Sequence, residues 1–481
     1  MKSVNNIKKQ TITGFIWRFL QNSCSEIINF IVSIVLARIL SPNDYGIIAM
    51  ITVFTNIALV FVNTGFSSAI VQRKDLTEKD VDTIFYSGLF VSTVLYFILF
   101  CGAGYISQFY SQPELVSLVR VYSLIILIAS SYSVQQALVQ REMQFKKSFY
   151  MSMSGAIVHG IVGVVLAYLG FGVWAIVYST LAHYLVCALV MWVLVEWKPR
   201  FIFSSDSLRQ TLPFSLKILA SNLINALFNN IRSLIIGRCY SSEQLAYYNK
   251  GYQFPTLLMN QIDGACTSVM FSSLSKFQDN WESGLKVLRR ELRTVYFICA
   301  PVLLGLCAIS KPMIIVLLTE KWIESVPFVQ LVSILCLMWP LSVQTHAINA
   351  LGKSNISLAV NIIGKCFTIV GLLLTYKISV LAIVITSICT TFLSAALTAI
   401  VSQQYLKYRV TELLSDIMPS IFIALVMSGI VYSLTYFISN PLANLVIGVT
   451  LGMFIYILLS LLFNRDNFLY LLNLSKSIIK R

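Results

Sequence analysis

Apolar runs long enough to cross a bilayer as helices, about twenty residues each, follow one another along almost the whole chain, separated by short polar or charged stretches. Breaking the pattern at charges, Pro and Gly predicts fourteen spans, near 13–37, 45–71, 83–106, 115–138, 149–169, 173–195, 212–236, 245–274, 294–318, 326–350, 357–375, 380–401, 417–438 and 442–463. The eighth is long for a single crossing and the tenth contains Pro340. The fold class expected is an all-α integral membrane protein.

The pattern also repeats. Residues 11–41 recur at 211–241, with Thr11/Thr211, Asn22/Asn222, Asn29/Asn229, Ile31/Ile231, Ser33/Ser233, Arg38/Arg238 and Ser41/Ser241 in register. Further on, IVGVVLAY (161–168) returns as IVGLLLTY (369–376), and SVQ at 133–135 returns at 342–344. Preserved order predicts a duplicated unit: residues 1–205 hold spans one to six and residues 206–405 spans seven to twelve. An even number of spans brings both copies in from the same side. They are therefore parallel repeats, two six-helix lobes about an axis along the membrane normal with a central cleft. Residues 406–481 add two more helices and a tail. Such a duplication points to a transporter.

Composition agrees, with 57% hydrophobic and 11% charged residues, against about 25% charged in soluble domains. The net charge of +15 does not point to nucleic acid, because of where it sits. Most basic residues cluster in alternate connections, among them Arg73, Lys74 and Lys79; Arg141, Lys146 and Lys147; Lys198, Arg200 and Arg209; and Lys286, Arg289, Arg290 and Arg293. This asymmetry puts those connections and both termini in the cytoplasm, beside anionic lipid headgroups. The first span follows Lys2, Lys8 and Lys9 without a small-residue cleavage site, so it is expected to stay in the protein. Residues 275–293, basic and amphipathic, read as a surface-lying helix.

Polar residues inside the spans are the candidate chemistry. At 100° per residue, Arg18, Asn22, Ser25, Glu26, Asn29 and Ser33 share one face of the first helix, and Asn222, Asn225, Asn229 and Ser233 repeat that stripe on the seventh. The stripes either line a hydrated cleft or hydrogen-bond to neighbouring helices. Intramembrane charges are costly and mark function by default; here they are Arg18, Arg120, Lys217, Arg232 and Lys365 against Glu26 and Asp263. A cleft with that cation surplus suits an anionic ligand such as a pyrophosphate. Ion pairing and snorkelling are the other uses of each residue. Glu26 and Asp263 are the candidates for coupling to H⁺ or Na⁺, with the membrane potential as another drive. His159, His183 and His346 read as packing residues more than proton relays, and the ten cysteines as small packing residues without metal spacing. No Walker A, GxSxG or HExxH sequence occurs, so ATP-driven pumping and hydrolase chemistry have no support. No metal, cofactor or enzymatic activity is expected.

Three segments carry a resemblance: WRFLQNSCSEIINFIVSIVLARILSPNDYGIIAM (17–50), GFSSAIVQR (65–73) and LVQREMQFKK (138–147), the last with Gln140-Arg141-Glu142 and Phe145. They resemble the Wzx-type polysaccharide flippases, in the polysaccharide transporter branch of the multidrug/oligosaccharidyl-lipid/polysaccharide (MOP) superfamily, and within it the colanic-acid-exporter-like subgroup. The resemblance implies a bacterial inner-membrane protein that moves undecaprenyl-pyrophosphate-linked sugar units to the periplasmic leaflet, for O-antigen, capsule or exopolysaccharide. It also implies membrane lipids, and glycan polymerase and chain-length machinery, as partners. By analogy with the related lipid II flippases, spans thirteen and fourteen would form a lipid groove. The alternative is a cation-coupled multidrug exporter of the same superfamily, whose members usually have twelve spans and acidic cavities. A membrane-embedded polymerase or acyltransferase would need a long loop or a His/Asp constellation, and the chain has neither.

Overall fold

The computed structural model describes the backbone of residues 2–65, 67–73, 75–274 and 281–479. Side chains are described for the same residues except 2–12, 15, 64, 65, 68, 210, 214, 263–274, 474, 475 and 477–479. Among the described residues the regular structure is helical throughout. Twelve helices among the described residues are long and apolar enough to cross a membrane, or thirteen if a bent helix at 205–239 is one span. The chain is an integral membrane protein.

Contacts divide it into two compact units, Met1–Ala246 and Tyr247–Arg481. The first contains α1 (Lys2–Ile39), α2 (Pro42–Val60), α3 (Ser67–Gln72), α4 (Glu78–Tyr110), α5 (Leu115–Tyr122), α6 (Leu124–Arg141), α7 (Phe145–Tyr168), α8 (Val173–Leu194) and α9 (Ser205–Cys239). Their starts are written in the sequence. Ser41 caps α2 in a reciprocal capping box with Asp44, and Thr77 does the same for α4 with Asp80. Pro213 interrupts the hydrogen-bond ladder of α9, which bends by 48° there. The helix α10 (Ser242–Leu274) starts in the first unit. Ser241, the repeat mate of Ser41, accepts from the Gln244 amide at that start (3.2 Å). Gly46 lies against this corner: a Cβ there would stand 1.9 Å from the Ser242 carbonyl oxygen, so a side chain is excluded.

The second unit contains α11 (Trp281–Ala308), α12 (Ser310–Leu318), α13 (Val326–Cys336), α14 (Val343–Ala350), α15 (Ser354–Thr375), α16 (Val380–Tyr405), α17 (Val410–Phe437), α18 (Pro441–Phe463) and α19 (Arg465–Ile479). Leu288, Leu292 and Tyr296 of α11 are fully buried with Leu406, Tyr408, Leu413 and Ile417. Beside this core, Asp416 of α17 receives Arg289 Nε (2.8 Å), Arg293 Nε (2.8 Å) and the Tyr408 hydroxyl (2.8 Å). A buried carboxylate needs this many donors. Burial, and then the Asp416 carboxylate, hold the Tyr408 hydroxyl well above its usual pKa, so it remains a donor.

Two expectations change. The basic segment at 275–293 is not a separate surface helix: from Trp281 it forms the first turns of α11, because Arg289 and Arg293 find carboxylates on α17. Residues 275–280 lie outside the described ones. Spans four and ten each hold as one crossing, Leu115–Arg141 and Glu320–Ala350, with a local irregularity at Ser123 and a 3₁₀ turn over Trp339–Ser342 that contains Pro340. The eighth span, 245–274, corresponds to α10, which is long but is not among the helices apolar enough to count as a crossing. Its side chains from 263 on lie outside the described ones, Asp263 included.

Candidate functional site

The site begins with a close-packed layer of three helices. On α7, a Cβ at Gly155 would meet Cys187 Sγ of α8 at 2.5 Å, and one at Gly160 would meet Val32 of α1 at 2.7 Å. These two glycines let α7 sit tightly between α1 and α8. Gln21 of α1 then donates from Nε2 to Ser152 Oγ of α7 (3.0 Å). Trp17 packs on Phe149 with ring centroids 5.3 Å apart.

Ser152 is part of the wall of a cavity of about 590 Å³ inside the first unit. Its polar lining includes Asn63, Gln72, Gln136 and Gln140, the hydroxyls of Ser67, Ser133, Tyr132 and Tyr184, and His183. Among the described residues no Asp, Glu, Lys or Arg lines it. The side chain of His183 stands 3.7 Å from Cys187 Sγ, and its ring meets those of Tyr184 and His159 edge to face. Each amide offers both donors and an acceptor, so this wall suits a neutral ligand rich in hydroxyls.

The segments that carry the resemblance meet at this cavity. Gln72 is the penultimate residue of GFSSAIVQR and Gln140 opens the QRE run, and both line the wall. Arg141 donates from Nη1 to the Ile70 and Arg73 carbonyls (2.5 and 2.6 Å), closing the C-terminal end of α3. Arg73 in turn reaches Asp80 of α4 (3.5 Å) and Thr211 of α9 (3.5 Å), and Asp80 also accepts from Ser207 of α9. Phe145 carries the Arg18 guanidinium over its ring, 5.3 Å from the centroid.

Residues 35–327 match the family described as polysaccharide biosynthesis protein. The chain belongs to this family. Among its curated relatives, the teichuronic acid biosynthesis protein TuaB of Bacillus subtilis is 26% identical over 337 residues, covering 68% of each chain. The lipopolysaccharide biosynthesis protein WzxC of Escherichia coli is 24% identical over 339 residues, covering 69% of this chain and 68% of WzxC. The fold of this polysaccharide biosynthesis protein is similar to that of the lipid II flippase MurJ in an inward closed conformation, with TM-score 0.75, 15% identity, and 95% and 99% of the two chains covered. It is also similar to an inward-facing multidrug resistance MATE transporter of the MOP superfamily, with TM-score 0.63, 16% identity, and 81% and 98% covered. The all-α fold expected from the sequence is the fold that these two solved structures share.

The candidate residues are distributed over several elements. Arg18, Asn22, Glu26 and Asn29 are exposed along one face of α1, beside the Gln21 contact to the cavity wall. On α9, Lys217 and Asn229 are exposed and Asn222 is half-buried; Lys217 adjoins Ile218, a wall residue. Arg232 is half-buried, and its Nε has no hydrogen-bond partner among the described residues. Arg120 stands apart on α5, its guanidinium 4.7 Å from the Phe100 ring centroid of α4. Lys365 is half-buried on α15, in the second unit. The cavity's amides drew no attention in the sequence, where isolated Gln and Asn residues on separate helices carry no spacing signal. Their one trace was that Gln72 and Gln140 fall inside the family-like segments.

The second unit holds an apolar groove of about 450 Å³ along α11, α17 and α18, with Pro301, Gly305, Met427, Gly448, Gly452 and Tyr456 in its wall. The glycines leave the space that side chains would fill.

Proposed function

We propose that this protein is a flippase that moves oligosaccharide units, linked through pyrophosphate to a polyprenyl carrier, across the bacterial inner membrane. The cargo would feed O-antigen, capsule or exopolysaccharide synthesis. The observation that carries this reading is the amide-lined cavity beside the polar face of α1. Sugar hydroxyls pair with amides that both donate and accept. The names of TuaB and WzxC place relatives in glycan synthesis, and MurJ is named as a lipid II flippase.

Arg18, Arg120, Lys217, Arg232 and Lys365 are the candidate contacts for the pyrophosphate, and Asn22, Asn29, Asn222 and Asn229 for the sugars. The apolar groove of α17 and α18 suits the polyprenyl tail. Two parallel six-helix lobes, 1–205 and 206–405, would alternate access, driven through Glu26 or Asp263 by H⁺ or Na⁺, or by the membrane potential. Polymerase and chain-length proteins would take up the product, and both termini would face the cytoplasm. Transport of this kind needs no catalytic residue and no cofactor.

The alternative is a cation-coupled drug exporter, favoured by the likeness to the multidrug transporter fold and disfavoured by a cavity wall in which no described residue is a carboxylate. Complementation of a flippase-deleted strain separates the two. Restored surface glycan supports the flippase; drug resistance without glycan rejects it.

A further inference from the structure

His183 lines the amide cavity of the first unit, and among the described residues of that wall it is the one side chain that can gain a positive charge near neutral pH. In the sequence it reads as a packing residue, because nothing there shows that it reaches a cavity. Gly155 of α7 makes its place: a Cβ there would stand 2.9 Å from His183 Nδ1 and 3.0 Å from Cε1. That edge of the ring lies on the α7 backbone, which leaves Nε2 on the side of Cys187, 3.7 Å from its Sγ. Cys187 is itself a wall residue. Across the α7–α8 contact stands His159, with ring centroids 6.1 Å apart and planes nearly perpendicular. His159 Nδ1 is buried and has no hydrogen-bond partner among the described residues. Packing alone does not account for a polar nitrogen left over in this way.

The other titratable groups around His183 are neutral near that pH. Tyr184 and Cys187 belong to α8, Tyr132 of α6 shares the wall, and Tyr122 of α5 lies beside Tyr184; phenols and thiols ordinarily ionise at about pH 10 and 8.5. The charged groups of the packed helices sit at helix ends or are engaged. On α2, Asp44 and Tyr45 lie at the Gly172 end of α8, about 16 Å along that helix from His183. Lys146 and Lys147 open α7, about 18 Å along it from His159. Arg141 at the end of α6 reaches the Ile70 and Arg73 carbonyls, Arg120 of α5 the Phe100 ring, and Arg18 of α1 the Phe145 ring. Glu26, the one carboxylate of α1, is exposed between the Gln21 and Val32 contacts to α7.

We propose that His183 is a proton-binding residue that couples this cavity to pH. A charged imidazole inside a membrane bundle needs the water of an open cavity. When the wall closes and that water leaves, the neutral ring is favoured and the proton departs. Proton binding thereby follows the opening and closing of the cavity. Uptake on one side of the membrane and release on the other is a coupled proton movement, and cargo transport is the step it drives. That last link rests on the flippase reading; the proton site does not.

The test has two arms. The chain has three histidines, so the full-length protein in detergent, labelled with carbon-13 histidine and free of a histidine tag, gives three ring signals by NMR, assigned with His159→Gln and His346→Gln. The His183 signal should titrate between about pH 5 and 8, and should still do so in Glu26→Gln. A His183 signal that stays neutral across that range overturns the proposal. The second arm follows a lipid-linked oligosaccharide in proteoliposomes over the same range. The wild-type rate should depend on pH, and His183→Gln should flatten that profile whatever rate remains. A variant with the wild-type profile overturns the coupling role. No glycan movement at any pH, with His183 still titrating, overturns the flippase reading and leaves the proton site standing. If His183→Gln fails to fold, the first arm, which does not use it, decides.

Discussion

Gln21 donates to Ser152 across the α1–α7 interface at 3.0 Å, and this bond ties the polar face of α1 to the wall of the amide cavity. Gln21→Leu keeps the size of the side chain and removes the bond. Interhelical hydrogen bonds in membranes average about 0.6 kcal/mol, so the melting temperature should fall by only a few degrees. Export should fall further than stability does, because α1 loses its registration on the cavity. A thermal melt together with a surface-glycan assay checks both; full export in a well-folded variant would contradict the account.

Arg141 reaches two carbonyls, of Ile70 and Arg73, from one guanidinium nitrogen. Lysine keeps the charge and several donors on one nitrogen, but its side chain ends short of the position of Arg141 Nη1. Arg141→Lys should therefore leave the end of α3 partly open and cost about 1–2 kcal/mol, within the range of losing a helix cap. Faster limited proteolysis between α3 and α4 is the expected readout.

Asp416 holds Arg289, Arg293 and Tyr408 together. Asp416→Asn removes the charge that both guanidinium groups face. The arginines left behind are partly exposed and Arg289 keeps Glu412, so the loss is that of the charged hydrogen bonds, about 1.5–3 kcal/mol, and the melting temperature should drop. Asp416→Glu should recover part of the loss.

Glu26 is exposed on α1, and its repeat mate is Ala226. If it couples transport to an ion, Glu26→Gln should express normally and lose the dependence of export on pH or Na⁺. A variant that is well expressed, with full and still ion-dependent export, removes Glu26 from the coupling role.

How much of this was legible beforehand differs by element. The stripe of α1 follows helical periodicity, and the capping corners at Ser41 and Ser241 sit where the repeat places them, since caps are local chemistry. The joining of residues 281–293 to α11 was not legible, because it depends on Asp416, more than a hundred residues away. The cavity was the hardest to see. Asn63, Gln72, Gln136, Gln140 and His183 come from distant segments, and a neutral amide stands out in a sequence far less than an intramembrane charge. Emphasis on cations found the exposed face of α1 but passed over the wall beside it.

The most direct measurement of the central claim uses purified protein in proteoliposomes that contain a lipid-linked oligosaccharide, with a membrane-impermeant glycan probe outside. The account predicts that wild-type protein exposes inner-leaflet glycan to the probe. The Gln136→Leu/Gln140→Leu double variant should do so about tenfold more slowly, each lost hydrogen bond contributing about 0.5–1.5 kcal/mol. Glycan exposure no faster than in protein-free liposomes, or a double variant as fast as wild type, would contradict it.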